Sequence, residues 1–308
     1  MSITPQAIEA LFARHGYSSS TISETGRSFV GTVQKSGDTF FFKYPKTASV
    51  SIRLKNEAVW YQGFQDLRST LPVYIPALID SGEDEGRFWL IREHLPESGR
   101  VADADRQWID TNTFNQHLES TVDFLHILQH ISIALPNDTE IPLTADRTFH
   151  DFNCGSNEEV VHFIRAIGAR RAAYIHPNII ETLCSIVNST ELSAPALTYT
   201  DYKPWHFFVH DNKLALIDSE NANNLGPKHF DLSFFYASIY GILNDPGLAN
   251  KLLAIYMREI TDKTTFLLQF RSLLARISIA ALDDAIAAQK ITTGHHQLIE
   301  RVMTNTLL

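Results

Sequence analysis

Two cysteines, Cys154 and Cys184, are all that 308 residues contain, and no C-x-x-C spacing joins them. That scarcity excludes a disulfide scaffold and a thiolate zinc site, and it fits a reducing compartment. Basic residues are also short: 26 Lys and Arg face 35 Asp and Glu, for a formal charge of −9. The adjacent Arg170-Arg171 is only a pair, so the clustered cations that neutralise nucleic-acid phosphates are missing. The N-terminus, Met1-Ser2-Ile3-Thr4-Pro5, carries no basic-then-apolar leader. Apolar stretches such as Ile277 to Ala288 are broken by Asp283 and Asp284, so no membrane span is expected. A cytoplasmic chain is the resulting expectation. Glycine is thin too, and no complete G-x-G-x-x-G occurs between the first strands.

What is present is 44% hydrophobic content in a chain too long for one minimal core, suiting a bilobal enzyme or two modest domains. Thr4-Pro5 starts a helix, with Ile8, Leu11 and Phe12 at helical spacing and Gly16 as the stop. Strand patterns follow over Ser28 to Gln34 and Thr39 to Tyr44, around a turn at Lys35 to Asp38. Ser51 to Leu67 reads as helix. Ile75 to Leu95 reads as two strands broken by a turn over Ser81 to Gly86. The remainder is mostly helical, and Pro96-Glu97-Ser98-Gly99 marks the boundary.

The chemistry concentrates in Thr200-Asp201-Tyr202-Lys203-Pro204-Trp205-His206 and Leu216-Ile217-Asp218-Ser219-Glu220. Between them, Phe207-Phe208-Val209 and Leu214-Ala215-Leu216-Ile217 flank the turn-rich His210-Asp211-Asn212-Lys213, which predicts a β-hairpin. Asp201 enters that hairpin and Asp218 leaves it, so both carboxylates arrive at one end. Phosphoryl transfer uses such a pair, one to orient a hydroxyl and one to hold a metal on the phosphates. Upstream, Lys43 lies in the aromatic strand Phe40 to Tyr44. Glu57 falls between Leu54 and Tyr61 on an apolar helix stripe, where a carboxylate needs a partner. Lys43 is the partner expected.

Asp201-Tyr202-Lys203-Pro204-Trp205-His206 resembles the kinase catalytic loop Asp-Leu-Lys-Pro-x-Asn. Ile217-Asp218-Ser219-Glu220 is similar to the Ile-Asp-Trp-Glu segment of aminoglycoside phosphotransferases and choline kinases. Gly226 to Leu232, with Asp231-Leu232, resembles the segment that follows it there. The resemblance implies an α+β, two-lobed protein kinase-like fold. Residues 1–96 would form a β-rich N-lobe, and residues 97–308 a helical C-lobe bearing the catalytic loop and acceptor site. It implies an ATP- and Mg²⁺-dependent kinase acting on a hydroxyl of a small aminoglycoside-, sugar- or choline-like molecule. Asp201 and Lys203 become catalytic, and Asp218 and His206 metal-facing. Lys43, Glu57, Gly26 and Ser28 sit around the phosphates, with the Glu93 carbonyl and Leu95 N–H at the adenine edge. Glu220 would assist through water, and Asp231 would prop the loop beyond its plain role as a helix N-cap.

Two positions depart from the pattern: Thr200 stands where the family usually carries Gly, and His206 where it carries Asn. His206 either ligates metal or hydrogen-bonds Asp201 to hold the loop. A catalytically impaired, nucleotide-binding scaffold is therefore the alternative reading. Only twelve residues lie between Asp218 and Asp231, and no Ala-Pro-Glu follows Asp218, which leaves no room for a peptide-docking activation segment. Acceptor contacts are expected instead from Thr148 to Asn188, with Arg170-Arg171 and Tyr174, and from helices around Tyr256 and Asp283-Asp284.

Overall fold

In the computed structural model, which describes residues 4–103, 105–136 and 155–307, the chain opens with helix α1 (Pro5–Arg14). Thr4 caps it by accepting the Ala7 N–H at 3.3 Å, Pro5 occupies the first turn, and Gly16 at φ 79° follows it. Strands β1 (Ser18–Glu24), β2 (Ser28–Lys35), β3 (Asp38–Pro45), β4 (Leu78–Asp84) and β5 (Arg87–Glu93) form one antiparallel sheet in the order β1-β2-β3-β5-β4. The break expected over Ser81 to Gly86 is narrower than that. β4 runs on to Asp84, and only Glu85 and Gly86, at φ 49° and 71°, make the turn. Two successive positive φ values give the primed turn whose twist matches a hairpin.

Alternation across β3 divides the sheet's two faces. Phe42 and Tyr44 point to the face covered by α1, where Phe12 meets Phe42 at 4.7 Å and Trp89 at 5.6 Å. Lys43, one residue out of phase, must point to the other face. Helix α2 (Ala48–Gly63) covers that face, with Val50, Leu54 and Ala58 packed on Leu90 of β5. The C-terminal half of α2 leaves the sheet, and Trp60, Tyr61 and Phe64 enter the main core. This one helix therefore joins the sheet to the helical region.

Helices α3 (Thr111–Gln116), α4 (Leu118–Leu128), α5 (Asn157–Arg170) and α6 (Pro177–Asn188) follow. Next come β6 (Pro195–Thr198), the hairpin β7 (Phe207–His210) and β8 (Lys213–Leu216), and β9 (Asn223–Pro227), which pairs with β6. The chain closes with α7 (Phe230–Ala237), α8 (Pro246–Tyr256), α9 (Lys263–Ala288) and α10 (Thr293–Thr304). The predicted hairpin forms in register Phe207↔Leu216 to His210↔Lys213, turning on Asp211 and Asn212 at φ 46° and 59°. By length and composition α9 is long and apolar enough to cross a membrane, but Phe270, Leu273, Leu274 and Ile277 are buried in the core. Sheet first, helices after, the architecture is the two-lobed α+β, kinase-like arrangement expected.

Candidate active site

Lys43, brought to the α2 face by its strand phase, lies 2.7 Å from Glu57 Oε2 and also ion-pairs with Asp218. Glu57 is fully buried, and its second oxygen accepts from the Tyr61 hydroxyl at 2.7 Å, one turn along α2. Burial works against the Lys43 ammonium, but Asp218, Glu57 and Glu220 outweigh it and push its pKa well above the ordinary value. Burial likewise favours the neutral acid at Asp218, yet Lys43 and then His206 hold that carboxyl well below the usual range.

Asp201 and Lys203 stand on the loop between β6 and the short 3₁₀ turn Pro204–His206. The tyrosines that alternate with them anchor the loop from within. Tyr199 donates to the Ile217 carbonyl, and Tyr202 to the Thr121 carbonyl at 3.2 Å, edge-on to Phe207 and Phe235. Asp201, which is buried, ion-pairs with the largely covered Lys203. His206 Nδ1 lies 3.0 Å from the Asp201 carbonyl, and its Nε2 lies 3.4 Å from Asp218 Oδ2 and 3.8 Å from Asp201 Oδ2. A carbonyl can only accept, so Nδ1 carries the hydrogen in this geometry. In the neutral ring the Nε2 lone pair then faces two carboxylates, an arrangement that asks for a cation or a proton between them.

Asp231 was expected as an N-cap. His229, at φ 82°, occupies the N-cap position of α7 without a side-chain capping bond, and Asp231 lies inside the first turn. Its two oxygens accept the Tyr199 and Thr200 N–H groups, both at 2.7 Å, so it props the loop from beneath. Burial raises its pKa to about 7 against the pull of those two donors.

Gly26 sits in the β1–β2 turn with open space around it, while the Ser28 N–H is already taken by Thr25 Oγ1 at 3.1 Å. Gly31 has a different purpose: a Cβ there would lie 2.0 Å from the Thr21 carbonyl oxygen, so it is the close approach of β1 that demands glycine. At the exit of β5, Arg92 donates to the Glu93 carbonyl at 2.7 Å, leaving that oxygen one further lone pair. The Glu93 side chain is held by Tyr74 at 2.6 Å and Arg68 at 2.8 Å, and Leu95 is buried.

The phosphotransferase enzyme family (APH) matches residues 22–265, most of the chain, including Lys43, Glu57, Asp201, Lys203, His206, Asp218, Glu220 and Asp231. The chain belongs to this family. No curated protein sequence matches it. Among solved structures, the GDP and kanamycin complex of APH(2")-IIia is 16% identical, covering 97% of this chain and 98% of that one at a TM-score of 0.62. Spectinomycin phosphotransferase APH(9)-Ia, with ADP and spectinomycin, is 12% identical over 100% of both chains at 0.62. The streptomycin–ATP–APH(2")-IIa ternary complex is 16% identical over 98% and 99% at 0.60. At these identities the likeness is one of fold.

For a phosphotransferase, the two departures in the loop acquire a structural reading. Thr200 adopts φ 64°, the left-handed conformation for which glycine is the usual residue. The strain is held by the Asp231 bond to its N–H and by its own hydroxyl, which donates to the Asn221 carbonyl at 2.9 Å. His206 sits where its ring spans the two acidic residues.

Sequence reasoning missed the residues that fix the segment after Asp218. Asn56, fully buried on α2, donates to the Ala222 carbonyl at 2.9 Å. Arg53 reaches Asn221, and Arg27, from the β1–β2 turn, ion-pairs with Glu220. A fully polar Asn beside Glu57 on an apolar stripe was the one signal available. Of the residues expected to meet an acceptor, Arg170 and Arg171 both engage Asp283, the latter at 2.6 Å, so these charges satisfy one another. Tyr256 is core, 2.7 Å from His229 Nδ1. Tyr174 is exposed, and positions 148–154 of the expected insertion lie outside the described residues.

Proposed function

We propose that this phosphotransferase moves the γ-phosphoryl group of ATP to a hydroxyl of a small molecule, with Mg²⁺ as the accompanying ion. The observation that carries the reading is the convergence of a buried Lys43–Glu57 pair, the Asp218 carboxylate and the Asp201–Lys203 loop, which His206 links to Asp218. Residues 1–96 would cover the nucleotide and residues 97–308 would receive the acceptor.

Each side chain has a distinct task. Lys43, aimed by Glu57, would neutralise α- and β-phosphate oxygens on leaving Asp218. Asp201 would orient the acceptor hydroxyl and take its proton as the new P–O bond forms and the bond to the β-phosphate oxygen breaks. Lys203 would offset charge on the transferring group. Glu57, Asp218 and Glu220 offer carboxylate oxygens within 4.8 Å of one another, as do Asp201 and Asp218 together with His206 Nε2. The carboxylate oxygens suit Mg²⁺, with Asp218 as the principal holder and Glu220 beside it, while His206 adds a ring nitrogen, a softer donor. When bound, the ion supplies charge neutralisation on the phosphates. Glu220 carries a pKa raised to about 7, by burial first and Asp218 second, and its bond to Arg27 must loosen for it to take part.

The test separates binding from chemistry. Asp201→Asn should leave Mg·ATP affinity within a few-fold while acceptor phosphorylation falls by about 10²–10⁴-fold. Asp218→Asn should weaken Mg²⁺-dependent nucleotide binding itself. Full turnover by Asp201→Asn on any acceptor refutes the assignment. The alternative of a non-catalytic scaffold draws no support from the family match.

A further inference from the structure

Beside Lys203, a pocket of about 90 Å³ lies between the 3₁₀ turn, α7 and α9. Trp205, Phe234, Ile242 and Ile277 supply apolar walls. Its charged members are Lys203, Arg106 and Asp284. Lys203 Nζ lies 5.1 Å from the centre of the Phe234 ring and 5.6 Å from that of Trp205, so the cation of the loop opens onto the aromatic walls. Arg106 stands over Trp205 at 5.8 Å and forms no ion pair within 4 Å among the described residues. The floor includes Ser238, the first residue of a π-helical turn, Ser238–Ile242, that ends α7. Single π turns of this kind recur where a helix is reshaped around a site.

This lining argues about charge. A polyamine or aminoglycoside acceptor carries several ammonium groups, and each would need a carboxylate to replace its water. Here no carboxylate is spare: Asp201 is paired with Lys203, and Asp284, the pocket's own carboxylate, already faces Arg106 and Lys203. Asp283, next in the chain, is spent on Arg170 and Arg171. What the pocket can take is a ring or other flat apolar body against Trp205, with any charge on it negative and directed to Arg106.

Resting on the phosphotransferase reading, we infer that the acceptor is a compact alcohol with an apolar, ring-sized body and no positive charge, neutral or anionic, rather than a polycationic sugar or choline. Its hydroxyl would point to Asp201 from this pocket, and Arg106 would set the preference for a carboxylate on the far end.

The experiment is calorimetric titration of the protein with four probes, 2-phenylethanol, 3-phenyllactate, choline and kanamycin, each with and without AMP-PNP and Mg²⁺. The two aromatic alcohols should bind at least tenfold more tightly than either cation. Arg106→Gln should weaken 3-phenyllactate by tenfold or more and leave 2-phenylethanol unchanged. Trp205→Ala should weaken both, and Trp205→Phe, which keeps a ring, should restore them. Tighter binding of kanamycin or choline overturns the inference, as does aromatic-probe binding that is absent or indifferent to Trp205. A protein that binds no AMP-PNP but retains this selectivity in the nucleotide-free titration would refute the phosphotransferase reading and leave the pocket's chemistry standing.

Discussion

Lys43→Met puts the greatest demand on the interpretation of the site, because among the described residues it removes the one cation that ion-pairs with the fully buried Glu57. Glu57 has no exposed surface, and its remaining partner is the Tyr61 hydroxyl at 2.7 Å. Stranding one member of a buried ion pair costs about 3–5 kcal/mol. Glu57→Gln is gentler. The amide still accepts from Tyr61, and Lys43 keeps Asp218, so a loss of about 1–3 kcal/mol is expected, as for one buried hydrogen bond to a charge. In the double variant the stranded charge is gone, and the combined loss should fall short of the sum by about 0.5–3 kcal/mol. Urea denaturation of the four proteins, read at the midpoint with the slope checked for constancy, measures this. Additivity within about 0.5 kcal/mol would show that the two side chains do not share one buried charge.

Three further outcomes follow from single positions. Thr200→Gly relieves a left-handed backbone but loses the hydroxyl bond to Asn221, whereas Thr200→Ala loses the bond and keeps the strain, so thermal denaturation should find Ala the less stable by about 1 kcal/mol; equal stability would remove the strain argument. Glu220 and Asp231 have folded pKa values raised to about 7 from 4.5 and 3.8, so the native state binds more protons and stability should increase as pH drops from 8 to 6.5. Glu220→Gln should flatten that slope in urea melts, and an unchanged slope would exonerate Glu220. From pH 6.5 towards pH 5 the gain should level off, because His229 and His295, lowered by burial to about 3 and about 4, must be protonated on unfolding and offset the two carboxyls. His206→Asn exchanges an imidazole nitrogen for an amide oxygen, so the ratio of Mn²⁺- to Mg²⁺-supported turnover should fall. An unchanged ratio would confine His206 to bracing the Asp201 carbonyl.

Local pattern by itself determined the parts of this protein that depend on neighbours in sequence. Thr4-Pro5 set a helix start, alternation in Phe40 to Tyr44 turned Lys43 away from Phe42, and the apolar spacing of Leu54 and Tyr61 put Glu57 on an inward face. Asp211-Asn212 fixed the hairpin that carries Asp201 and Asp218 to one end. Tertiary structure alone decided what meets across long separations. Asn56 clasps backbone carbonyls more than 160 residues away, Arg27 finds Glu220, and Arg170-Arg171 find Asp283 instead of a ligand. Asp231 serves the loop before β7 and does not cap its own helix. Periodicity records which face a side chain occupies, because burial acts on each face as a whole. It carries no record of which backbone carbonyl or distant charge will stand opposite, since that depends on how separately formed elements pack, and a buried polar group accepts any partner of matching sign and reach that the packing supplies.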